Sequence, residues 1–381
     1  MNSKDIFRAL QAGKMSPEDA EEEVRKMIGL TPQQPLVQSP ERHIAHGHGE
    51  IKKTQSMVAS PVMKSPIWPQ FPELIHLNKE NQGKPVFWIH GGSGTVSGYR
   101  IIARKIQRPF YGIEPRGWIG NRSPLYGIQA MAAYYVHIIL TVQPEGPYDI
   151  GGYSLGGRLA YEVTRQLQEL GQTISTIVMV DSVSLDSPYN AEAKKDMQKI
   201  IFLQALNMVL MSKTMQEPEK FIQTLIHRDE VNLDVDDETF FQQLIMIAKA
   251  RGLPQTEAEL YAQIQKSTTV HHAYGVEHFS VLPLTEPQSV TCYYFRNKSG
   301  VFYGELEPYF RISDHEIGFD HQNYWKNWEK NIPDFHMMDV DSPSHIALLA
   351  EPKAYNAISD FCETLYSEKE IVQNFRSFIK K

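Results

Sequence analysis

The chain has 381 residues, enough for one large domain with appendages or for two domains, and its balance of 41% apolar to 22% charged residues supplies a sizeable core. A net charge of −7 argues against a nucleic-acid binder, which needs a basic stripe, and no run of about 18 apolar residues offers a transmembrane helix. Cys292 and Cys362 are the only cysteines, which excludes a disulfide framework and a cysteine-based metal site and makes a reducing cytosol the expected compartment.

Residues 1–30 read as a helical pair. Ile6, Phe7 and Leu10 are apolar at helical spacing, Gly13 breaks the run, and Ser16-Pro17-Glu18-Asp19 has the form of an N-cap followed by proline and first-turn acids. Residues 31–70 carry Pro32, Pro35, Pro40, Pro61, Pro66 and Pro69 among Ser, Gln and Gly, the composition of a flexible linker. From residue 71 to the end the pattern is that of a folded domain. Strands are expected at Pro85–His90, Phe110–Ile113, Tyr148–Gly151, Ile174–Val180, Val290–Phe295 and Phe335–Val340, and helices at about 127–143, 156–170 and 352–366, with Gly171 as a C-cap. Such alternation implies an α/β fold, a mostly parallel sheet with helices on both faces. Residues 188–275 break the rhythm: they are helical throughout, without a clear strand, and look like an insertion over the sheet's edge.

Gly152-Tyr153-Ser154-Leu155-Gly156 is a G-x-S-x-G motif between a strand and a helix. A sharp strand-to-helix turn there lifts the Ser154 hydroxyl clear of the sheet, with glycines two positions either side avoiding backbone clashes. The bland reading is a turn whose serine merely caps the helix. A serine nucleophile needs a base. His345, in Asp341-Ser342-Pro343-Ser344-His345 after the final strand, is in the position for it. His271 and His272 fall in the helical insert, His315 and His321 before the last strand, His336 within it pointing into the packing, and His43, His46 and His48 in the linker as solvated chain rather than a metal site. The acid that orients the imidazole has two competing placements. One, after the penultimate strand, offers Glu305, Asp314 or Asp320; the other, favoured, is Asp181, which ends the buried strand Ile174–Val180, 27 residues beyond Ser154. Two backbone N–H groups must receive the oxyanion: Leu155 and, from the turn His90-Gly91-Gly92-Ser93-Gly94, Gly92 or Ser93. No Lys-Ser/Thr pair follows that turn, so it is not a phosphate-binding P-loop.

With VFWIHGGSG, PYDIGGYSLGGRLAYEV and IVMVDS, and later YWKNW and SPSHIALLAEP, the chain resembles the thioesterase domains that end modular polyketide synthases and non-ribosomal peptide synthetases, members of the α/β-hydrolase superfamily. The resemblance covers roughly residues 75–366. It implies a Ser154–Asp181–His345 triad and an α/β-hydrolase fold, with the helical insert as a lid shaping an acyl-chain pocket. It also implies acyl or peptidyl transfer from a carrier-protein phosphopantetheine thiol to Ser154, with release by water or by ring closure. No metal or dissociable cofactor is implied; phosphopantetheine arrives on the acyl or peptidyl carrier protein. Residues 1–30 resemble short helical segments between domains of such assembly lines and are a candidate dock for an upstream synthase module. Lys194, Lys195, Lys213, Lys220 and Arg228 of the insert are candidates for a basic carrier-facing patch, and Phe202, Leu203, Leu206, Met208 and Leu210 for a tunnel wall or, more commonly, helix packing. A carboxylesterase or lipase of the same fold and a non-catalytic binding relative are the alternatives.

Overall fold

The computed structural model describes residues 71–80, 82–119, 122–184, 196–214, 222–262, 264–265, 281–312 and 326–367. The helical pair, the linker, His271, His272, Asp314, His315, Asp320, His321, Lys194, Lys195 and Lys220 lie outside them, as does the Lys213 side chain.

Seven strands form one sheet: β1 (Leu74–His76), β2 (Val86–Ile89), β3 (Phe110–Ile113), β4 (Tyr148–Tyr153), β5 (Ile174–Val180), β6 (Thr291–Asn297) and β7 (Asp334–Val340). Their order is β1-β3-β2-β4-β5-β6-β7. Every pairing is parallel except β1 with β3, so the expectation of a mostly parallel sheet is met. β1 was not foreseen. Three residues are too few to show an alternation, and its pairing comes from a distant partner.

The sheet is covered on both faces, and strand periodicity decides which residues go where. Phe87, Ile89, Ile177 and Met179 point to one face, where α1 (Ile128–Val142) and α2 (Leu155–Glu169) supply Met131, Tyr135, Ile139, Leu159, Val163 and Leu167. Val86, Trp88, Val178 and Val180 point to the other, against Ile102 and the later helix that supplies Ile358, Cys362 and Leu365. α2 ends on a Schellman motif: Gly171 has φ +72°, its N–H bonds Gln168 O, and the Gln172 N–H bonds Leu167 O. Both cysteines are buried and unpaired.

The insert has two long helices, α3 (Met197–Thr214) and α4 (Asp237–Ala250), and no strand among its described residues. It carries a separate apolar interior. Leu203, Leu206 and Leu210 of α3 pack with Phe240, Leu244 and Ile245 of α4, closed off by Leu306, Phe310 and Ile312 from the β6–β7 connection. The last described helix is α5 (Pro352–Leu365). β7 is the sheet's edge, so His336 is not inside the packing as the sequence suggests. Its ring stacks on Tyr293 at 5.3 Å but is half-exposed, with Nε2 2.9 Å from Asp334. No helix among the described residues is long and apolar enough to cross a membrane.

Candidate active site

Parallel strands all end on one rim, and four of them deliver the site there. Ser154 follows β4 directly, Asp181 follows β5, Asn297 ends β6, and His345 lies in the loop after β7. Ser154 has φ 57° and ψ −121°, a left-handed turn that a non-glycine adopts only under constraint. The constraint is visible: Ser154 N–H is held by Val180 O at 2.8 Å, and a Cβ on Gly152 or Gly156 would lie 2.3 Å from the Gly156 carbon or the Ile89 carbonyl. The serine makes no cap bond to the helix, which disposes of the bland reading. Its Oγ lies 2.8 Å from His345 Nε2, and His345 Nδ1 lies 2.8 Å from Asp181 Oδ2.

Asp181 is fully buried and also strained, at φ 46°. The other carboxylate oxygen, Oδ1, accepts the Asn297 N–H at 3.0 Å. The next carbonyl, of Ser182, accepts from the Tyr294 hydroxyl at 2.8 Å and the Trp328 indole at 3.0 Å, which pins the turn that aims the acid. Thus Trp328 of the YWKNW segment serves the site from behind. Glu305, a competing acid in the sequence reading, is exposed in the turn Gly304–Leu306, and the acid hydrogen-bonded to His345 is Asp181.

Imidazole faces are covered as well as its edges. Tyr153 stacks on His345 at 4.8 Å and Phe302 at 4.2 Å, with interplanar angles of 22° and 13°. Tyr153 also donates its hydroxyl to the His345 carbonyl. Burial first, and the Asp181 charge second, push the Tyr153 phenol well above its ordinary pKa, so it remains a donor. Tyr99, likewise raised by burial, donates to Ile89 O at 2.9 Å and accepts the Tyr153 N–H at 3.0 Å, joining β2 to the elbow. Sequence reasoning missed Tyr99, Tyr153, Asn297 and Phe302 as site residues. Adjacency to Ser154 was the one available signal, and it points to Tyr153 alone.

The turn after β2 closes with Gly94 N–H on Gly91 O at 3.1 Å. His90, fully buried, donates Nδ1–H to Gly91 O at 2.7 Å and accepts from Tyr135 at 2.8 Å through Nε2, which fixes the entry to that turn. Gly92 and Ser93 border the same cavity as Ser154 and His345. Leu155 opens α2, where N–H groups have no partner within the helix.

This cavity, about 510 Å³, lies between the strand rim and the insert and is lined chiefly by apolar atoms. Of the five insert residues offered for its wall, only Met208 borders it, together with Gln204, Ala205, Val209 and Met211 of the same helix. Phe202, Leu203, Leu206 and Leu210 sit in the insert's own core and do not reach the cavity, while Ala205 and Met211 belong to both. Arg228 is half-buried in the turn Arg228–Glu230. Among the described residues no cluster of three or more His, Cys, Asp or Glu is placed to hold a metal ion.

A hydroxyl on a strained elbow, bonded to an imidazole that is bonded in turn to a buried carboxylate, on a parallel sheet with a helical insert, is the architecture of the α/β-hydrolases. Within that class the chain belongs to the thioesterase domain family, whose model matches residues 84–366. It is 49% identical over 315 residues to polyketide synthase PksR of Bacillus subtilis (strain 168), covering 82% of this chain but 12% of that protein. It is 36% identical over 136 residues to a dimodular nonribosomal peptide synthase of the same strain, covering 35% of this chain and 6% of that one. The chain therefore spans only a small part of these relatives. A solved four-domain nonribosomal peptide synthetase, bound to AMP and glycine, shares the fold, with a TM-score of 0.53 and 19% identity over 77% of this chain and 20% of that one.

Proposed function

We propose that this thioesterase takes an acyl or peptidyl chain off the phosphopantetheine thiol of a carrier protein, in polyketide or non-ribosomal peptide assembly, through an ester on Ser154. The observation that carries the reading is the Ser154–His345–Asp181 hydrogen-bond chain opening into an apolar cavity roofed by the insert. In the first step His345 Nε2 takes the Ser154 proton as Oγ attacks the thioester carbonyl. Asp181 holds the proton on Nδ1 and stabilises the imidazolium. The Leu155 and Gly92 N–H groups receive the oxyanion. When the C–S bond breaks, the imidazolium proton goes to the departing thiolate. In the second step water, or a hydroxyl or amine of the acyl chain, gives its proton to His345 as it attacks the ester; the C–Oγ bond then breaks and the imidazolium returns the proton to Oγ, which restores Ser154.

All these groups belong to the polypeptide; phosphopantetheine comes with the carrier, a partner that the family and the synthase relatives support. Residues 1–30 are the segment we assign to docking on an upstream module. Two unpaired buried cysteines fit a cytosolic setting. The test compares a long-chain acyl pantetheine thioester with a short p-nitrophenyl ester. Higher kcat/KM is expected for the thioester, and the reverse order would favour a small-ester hydrolase. Ser154→Ala should lower kcat by several powers of ten and abolish fluorophosphonate labelling; persistent labelling would move the nucleophile to another serine.

A further inference from the structure

Two hydrogen bonds do not fix an imidazole. Nδ1 to Asp181 and Nε2 to Ser154, each 2.8 Å, hold the ring by contacts at its edges, and the torsion about the Cβ–Cγ bond is what they must restrain. A swing about that bond tilts both lone-pair and N–H directions away from their partners, and hydrogen bonds weaken steeply with angle. His345 sits in a loop, where no regular element restrains the side chain. What stops that swing is flat packing on the ring: Tyr153 and Phe302 both stack on it. The Tyr153 wall is fixed by the elbow itself, being the residue before Ser154 at the end of β4.

Phe302 has no such built-in placement; it lies in the β6–β7 connection. Its position is secured from two directions. The preceding residue, Val301, accepts the His345 N–H at 2.8 Å, so ring and wall share one backbone bond. Behind it, Tyr303 meets Phe302 edge-on at 4.7 Å and stacks on Phe310 at 5.8 Å. The carbonyls of Tyr309 and Phe310 accept the side-chain amides of Asn207 at 2.6 Å and Gln204 at 2.8 Å, both on α3. The insert helix therefore braces the wall, and Phe302 cannot turn off the imidazole without displacing Tyr303.

We propose that Phe302 is a positioning residue: it acts through His345, keeping the imidazole in the plane from which Nε2 reaches Ser154. The proposal rests on His345 being the base, as in the proposed function. Phe302 also borders the cavity, so a plain wall role is the competing explanation, and the two differ in which kinetic constant moves. Phe302→Leu keeps an apolar side chain and removes the plane; Phe302→Tyr keeps the plane. The experiment measures kcat and KM for a pantetheine acyl thioester, and the rate of fluorophosphonate labelling of Ser154, all per labelled site so that misfolded protein does not count. Phe302→Leu should lower kcat by roughly 10-fold or more, in line with the cost of small misplacements. It should slow labelling by a similar factor with KM within about twofold, and Phe302→Tyr should restore both rates. A raised KM with unchanged kcat and labelling would overturn the proposal and leave Phe302 as cavity lining. Equal losses in the Leu and Tyr variants would overturn it in favour of simple packing. Labelling needs no thioester, so it tests the wall even if the carrier-thioester reading fails.

Discussion

Asp181→Asn tests the site most sharply, because the surroundings dictate which way the new amide must face. Both carboxylate oxygens are acceptors now: Oδ2 for the His345 Nδ1–H, Oδ1 for the Asn297 N–H at 3.0 Å. A backbone N–H can only donate, so the amide oxygen must take the Asn297 side and its NH₂ must face Nδ1. Nδ1 then becomes an acceptor, the ring proton moves to Nε2, and Nε2 can no longer take a proton from Ser154. Turning the amide over recovers the tautomer but sets two donors against each other in a fully buried site, at about 1–3 kcal/mol. The carboxylate's charge opposite the imidazolium is lost in either orientation, about 1.5–3 kcal/mol more. Together these give about 2.5–6 kcal/mol, or roughly 10²–10⁴-fold in kcat at 1.36 kcal/mol per decade. Thiol release from a pantetheine acyl thioester reads the rate, and circular dichroism checks that the fold is kept. A variant with nearly normal kcat would refute this reasoning and send the search to Asp314 and Asp320.

Gly156→Ala puts a Cβ 2.3 Å from Ile89 O and 2.9 Å from His90 O, both backbone atoms that cannot step aside. A loss of about 1–3 kcal/mol is expected, visible as a lower Tm; an unchanged Tm would mean that the elbow has slack. Glu73 is fully buried, with one oxygen bonded to Tyr134 at 3.0 Å and Oε1 without a partner, and burial raises its pKa above 4.5 despite Arg122 and Arg116 nearby. A raised carboxyl pKa means the native state holds the proton more tightly than the unfolded chain. That contribution is present in acid and is lost as pH rises from 4.5 through the folded value. Glu73→Gln should therefore gain stability relative to the parent as pH rises from 4 to 7 in urea unfolding; a pH-independent difference would contradict it.

The sheet and its helices were legible because each rests on local pattern: a run rich in β-branched residues in Ile174–Val180, a glycine cap at Gly171, and a helix directly after the Gly-rich elbow. The hydrogen-bonded line of Ser154, His345 and Asp181 could be anticipated because each residue immediately follows a strand or lies in the loop after one. The rest was hidden for a physical reason. Phe302, Asn297 and Tyr99 reach the site through long-range packing and backbone bonds between segments far apart in the chain, which periodicity cannot encode. Of the five apolar residues offered from α3, four take the helix packing that the sequence favours and Met208 borders the cavity, a split that the sequence does not resolve. Apolar residues on α3 serve both the lid's interior and the cavity, and only the crossing partner α4 decides which face does which.

The insert's apolar interior, separate from the sheet's, has an evolutionary consequence. Its core of Leu203, Leu206, Leu210, Phe240 and Leu244 shares no member with the two cores that flank the sheet. Residues of α3 that face the cavity can thus change at a cost borne first by the insert's own packing rather than by the cores that hold the elbow. The triad and the cavity's roof draw on different apolar clusters, joined where α3 bonds the Tyr309 and Phe310 carbonyls and where Leu306, Phe310 and Ile312 enter the insert's core.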